Sequence, residues 1–127
     1  MIKEDFVNYE TAKLLKEKGF DWRCNSHYWS QDLDTLHYSD YPQNWNCASD
    51  DWYSRPTHQM AMKWLREEYG VFIAINNDDL DFNWQCYDLI NRGSTLDPKI
   101  LSESYAGYKT YEEAVEAACL YSLKNLI

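Results

Sequence analysis

Glycine and cations are both in short supply in this chain. The four glycines stand far apart, so there is no glycine-rich loop to cradle a phosphate. Lysine and arginine number 12 against 21 acids, a formal net charge of -9. Phosphodiester backbones are held by clustered cations, and without such a cluster no direct nucleic-acid binding is expected. Long apolar runs are missing as well, and the mean hydropathy is -0.69, which argues against a membrane helix. The opening Met1-Ile2-Lys3-Glu4-Asp5 turns acidic at once and lacks the apolar stretch of a signal peptide. The expected compartment is therefore the cytoplasm.

No Cys-x-x-Cys pair occurs among Cys24, Cys47, Cys86 and Cys119. In a reducing compartment these are thiols, and Cys86 and Cys119 fit the part of small buried hydrophobes. No cofactor is expected.

What the chain has in excess is aromatic rings, 17% of its 127 residues. Apolar residues reach 45%, enough for the core of a single domain over 1–127. A domain of this size buries roughly two thirds of its unfolded surface. It needs no disulfide or metal staple to do so.

Three helices are marked by their ends. Asn8, Thr57 and Thr110 are N-caps, whose side-chain oxygens accept from otherwise unpaired backbone N–H groups. Glu10, Glu112 and Glu113 then favour the positive end of the helix dipole, and Thr110 with Glu113 has capping-box spacing. Gly19 and Gly70 supply left-handed stops. The helices should run from Tyr9 to Lys18, from His58 to Tyr69, and from Tyr111 to near Asn125. In the second, Met60, Ala61, Trp64, Leu65 and Tyr69 share a face opposite Lys63, Arg66 and Glu67. The third is apolar on most sides and should be central, the alternative being a face covered by a partner.

Strands follow the helices. Val71 to Ile75 is a short β-branched run, and Asn76 to Asp79 is turn chemistry. Phe82, Trp84, Cys86 and Ile90 alternate with Asn83, Gln85, Tyr87 and Leu89, and Gly93, Ser94 and Pro98 close the strand. A third strand is expected near Leu101 to Tyr108. Earlier, His27 to Gln31 and Thr35 to Asp40 suggest a hairpin around Asp32-Leu33-Asp34. Residues Tyr41 to Pro56 then read as a long loop, a length often associated with function. The expected fold is α+β: an antiparallel sheet of a meander plus an N-terminal hairpin, with three helices, in the order α-ββ-α-βββ-α. The recurrence of the same start signal hints at a helix–hairpin duplication.

Candidate chemistry is thin. Cys24, His27, His37 and Cys47 are the ligand types zinc prefers, and Cys24 with His27 has one suitable spacing. His37 and Cys47, however, lie too far apart for the usual second pair. Asn76 to Asp81 matches a calcium loop in composition only, without its glycine and glutamate. Cys24 or Cys47 with His27, His37 or His58 could form a dyad, which makes a small hydrolase using a Cys/His pair one alternative. No catalytic residue is assigned. The most informative stretch is aromatic: Trp22, Tyr28, Trp29, Tyr38, Tyr41, Trp45, Trp52 and Tyr53 are interleaved with Asn, Asp, Ser and Gln. Rings beside polar groups build protein interfaces and sugar-binding faces, and they also build secondary cores beneath long loops.

Val7-Asn8-Tyr9-Glu10-Thr11-Ala12-Lys13-Leu14-Leu15-Lys16-Glu17-Lys18-Gly19-Phe20 resembles the opening of a group of small acidic uncharacterised proteins of gut-bacterial prophages and mobile elements. Pro56-Thr57 with Ala61 and Trp64-Leu65-Arg66-Glu67-Glu68-Tyr69 is similar to their middle helix, and Tyr108 to Ala114 to their end. The loop Tyr41 to Ser54 matches nothing in the group. The resemblance implies a small α+β domain and a mobile-element setting, and it implies no activity. The leading expectation is a non-enzymatic accessory protein that binds a protein partner through Trp29, Trp45, Trp52 and Tyr53. Besides the hydrolase, the alternatives are an acidic mimic of nucleic acid and a carbohydrate-binding module. The oligomeric state stays open.

Overall fold

The computed structural model describes residues 5–78, 81–89, 99–104 and 107–127. The three helix starts lie where the caps place them. Asn8 accepts from the Thr11 amide at 2.9 Å and opens α1, Tyr9–Glu17. Thr57 accepts from the Met60 amide at 3.2 Å and opens α3, His58–Tyr69. Thr110 accepts from the Glu113 amide at 3.1 Å and opens α4, Tyr111–Asn125. The stops are glycines in the left-handed region, Gly19 at φ 93 and Gly70 at φ 67, where an L side chain would be strained.

The strands form two antiparallel three-stranded sheets. The first contains β1, Cys24–Trp29, β2, Asp32–Gln43, and β3, Trp52–Ser54, in the order β2-β1-β3. The second is a meander of β4, Val71–Asp78, β5, Asp81–Asp88, and β6, Lys99–Glu103. The fold is thus the α+β class read from the sequence. An antiparallel hairpin follows both α1 and α3, β1 with β2 and β4 with β5, but the third strand joins β1 in the first sheet and β5 in the second.

Several local expectations are corrected. The first hairpin turns at Ser30-Gln31, because Trp29 pairs with Asp32, and Asp32 to Asp34 already belong to β2. The expected loop from Tyr41 to Pro56 holds the end of β2, a short helix α2, Trp45–Ala48, and all of β3. Among the described residues there are thus four helices rather than three. Asn76 and Asn77 are ladder residues facing Asn83 and Phe82, not a turn. The third strand of the meander stops at Glu103, and Tyr108 meets Phe82 through an isolated bridge. Ile90, Gly93, Ser94 and Pro98 lie outside the described residues.

The core lies where α1, α3 and α4 meet the two sheets. Val7, Leu15, Phe20, Trp64, Leu65 and Val115 belong to it, and Trp84 and Cys86 reach it from β5 as their alternation requires. Helix α4 is central: it contacts α1, α3, β4 and β5 and buries Ala114, Val115, Ala118, Cys119, Ser122 and Leu123. No helix among the described residues is long and apolar enough to cross a membrane.

Candidate functional site

Period-two alternation gives the first sheet two unlike faces. Tyr28 and Tyr53 turn inward. Both meet Tyr9 of α1 edge to face, at 5.6 and 5.3 Å between ring centres, and the Tyr28 hydroxyl donates to the Val7 carbonyl at 2.6 Å. His27 and Trp29 of β1 turn outward. The ladder sets His37 opposite His27 and Trp52 opposite Trp29, so one patch of sheet gathers two imidazoles and two indoles.

Helix α2 covers one end of this patch. Trp45 is buried, its indole N–H donates to the Cys24 carbonyl at 2.8 Å, and its ring stacks on His27 at 4.3 Å. His37 stacks on His27 at 4.9 Å with 16° between planes. His37, His27 and Trp45 therefore form a column of flat rings. Trp52 leans over His27 at 4.8 Å, and Trp29 meets His37 edge to face at 6.3 Å. His27, Trp29, His37 and Trp52 line a cleft of about 380 Å³.

The electrostatics are uneven. His27 is 93% covered, being 7% exposed, and its Nδ1 and the Nε2 of His37 have no hydrogen-bond partner. Burial first, and the facing His37 second, hold the His27 imidazole below its ordinary value of 6.5, which keeps it neutral near pH 7. The segment 24–54 that builds the cleft carries Asp32, Asp34, Asp40, Asp50 and Asp51 and no lysine or arginine. A hydrogen bond from Thr35, above all, pulls the Asp32 carboxyl below its usual range.

Two polar clips fix the segment that closes the site. Lys16 donates to the carbonyls of Ser49 at 2.9 Å, Asp50 at 3.3 Å and Trp52 at 2.8 Å. Asn46 donates to the Phe20 carbonyl at 2.9 Å and accepts from the Ser54 amide at 2.8 Å. Neither role is visible in sequence, because each joins residues distant along the chain. The four residues read as interface divide into two pairs. Trp29 and Trp52 line the cleft. Trp45 supports it from below, and Tyr53 faces inward.

The suggested zinc set does not assemble. His27 and His37 come together, but Cys24 lines a different depression with Phe6, Asn25 and Tyr38. Cys47 sits on α2, its thiol directed to the Asn44 carbonyl at 3.2 Å. No group of three or more metal-binding side chains occurs among the described residues. Burial also pushes the thiols of Cys24, Cys86 and Cys119 up, away from the thiolate that covalent catalysis needs.

Among the described residues β2 forms one edge of this sheet, pairing with β1 alone. Along it Leu33, Leu36, Tyr38 and Tyr41 are exposed, Leu36 by 58% and Tyr41 by 78%. Compared with known proteins, the chain matches no protein-family model, no curated protein and no solved structure.

Proposed function

We propose that this is a non-enzymatic binding protein, an accessory factor of a mobile element, whose ligand is a segment of another protein. The observation that carries the reading is the junction of two features on one sheet. A ring-lined cleft adjoins a 12-residue edge strand with exposed apolar side chains. An edge strand offers unpaired backbone groups to an incoming strand, and neighbouring pockets supply side-chain selectivity. Rings at such a place anchor protein interfaces.

The test is affinity capture from bacterial lysate with the native chain and with a Trp29→Ala, Leu36→Ser, Tyr41→Ser variant. These three side chains are exposed, so the variant should keep its fold, which circular dichroism checks. A stoichiometric partner held by the native chain and lost by the variant supports the reading. A partner held equally by both moves the interface elsewhere, and no partner for a folded native chain overturns it.

A further inference from the structure

At about 380 Å³ the cleft has room for one large side chain. Its chemistry says which kind. The walls are π faces, and the floor is a neutral imidazole stacked on Trp45. Such faces attract cations and repel anions. The 24–54 segment that builds the cleft adds five aspartates and no lysine or arginine. Lys16 beside the segment is engaged on the Ser49, Asp50 and Trp52 carbonyls, and Arg55, which follows it, donates to the Ser26 hydroxyl and lies over the Phe6 and Tyr28 rings.

We infer that the cleft lined by His27, Trp29, His37 and Trp52 receives the guanidinium of an arginine from a basic, extended partner segment that pairs with the free edge of β2. This rests on the binding reading above and specifies its ligand. A guanidinium suits the site better than an ammonium for three reasons. It is flat, so it extends the existing column of rings. It is more weakly hydrated, so it enters an apolar cleft at lower cost. It carries five N–H donors, and two ring nitrogens beside the cleft, His27 Nδ1 and His37 Nε2, have no partner. The aspartates steer the basic segment toward the strand edge, and alternate residues of that segment face the cleft and the solvent.

The experiment uses the full chain and three capped heptapeptides of alternating threonine and valine, identical except for a central arginine, lysine or glutamine. Binding is followed by tryptophan fluorescence and by the NMR signals of the His27 and His37 rings. The arginine peptide should bind about tenfold more tightly than the glutamine peptide and shift both imidazoles. That preference should vanish in Trp29→Ala and in Trp29→Leu, which keeps apolar bulk without a π face. Equal binding of the arginine and glutamine peptides overturns the cationic occupant and leaves docking on β2 standing. An arginine preference that survives both Trp29 variants, with their fold verified by circular dichroism, overturns the cleft as its source. If no peptide binds while lysate capture succeeds and is lost in the triple variant, this inference fails alone. If capture fails too, both readings fail.

Discussion

Lys16 shows how one side chain can hold a site it never touches. Its ammonium meets three carbonyl oxygens of the segment running into β3 and lies over the Tyr53 ring at 4.7 Å. Lys16→Met keeps the apolar stem and strands those carbonyls, at a cost of about 1–3 kcal/mol. Urea unfolding should show the loss, and limited proteolysis should cut first near 49–51. His27 affords a second residue-scale test. Its folded pKa lies below the unfolded 6.5, so the unfolded chain takes up a proton where the folded chain does not. Its contribution is therefore complete above pH 6.5, declines as pH falls below that value, and levels off once folded His27 protonates. Urea midpoints taken from about pH 7 to about 5.5 should fall less steeply for His27→Gln than for the native chain.

At the scale of elements, local chemistry and tertiary chemistry separate cleanly. The helix ends at Asn8, Thr57, Thr110 and Gly70 were legible because a cap is made by residues within one turn of each other. The alternation of Trp84 and Cys86 was legible because that side of β5 faces the core. β2 was not. With an exposed edge and little burial along its length, it has no reason to alternate, and its aspartates read as turn residues. α2 is one turn long, and its cover role depends on Trp45 meeting His27, a contact no local pattern encodes. Of the candidate site, the residue types were visible and the pairings were not: His27 and His37 stood out as ligands and proved to be a stacked pair. The two tryptophans now carry opposite expectations. Trp45→Ala empties a buried site and should cost about 3–5 kcal/mol. Trp29→Ala, at a site 37% exposed, should change stability by less than about 1 kcal/mol. Thermal unfolding of the two variants distinguishes cover from wall.

Across the whole molecule, the two sheets are tied together mainly through helices. Glu116 of α4 accepts from the Thr11 hydroxyl at 2.8 Å and from the Asn8 amide, and it lies 3.6 Å from His58, so one carboxylate joins α1, α3 and α4. Lys124 adds a more exposed link to Glu10 at 3.0 Å, a kind of pair that contributes little. Burial of thiols reports on the integrity of this assembly. Cys47 is exposed, whereas Cys24, Cys86 and Cys119 are buried. A thiol reagent at neutral pH should therefore label one cysteine rapidly in the folded chain and four in denaturant. Rapid labelling of more than one would mean that the sheets and α4 come apart on the time scale of the reaction.

The open edge of β2 also governs how the purified chain behaves in a tube. A long strand with unpaired amides and apolar side chains is a template for self-addition, restrained by charge and by proline. Here the restraint is Asp34, Asp40 and Pro42. Repulsion between whole chains is lost as well when the solution approaches the isoelectric point near 4.6. Dispersed solutions should cloud there before the core unfolds, and Asp34→Asn with Asp40→Asn should bring the same clouding to higher pH.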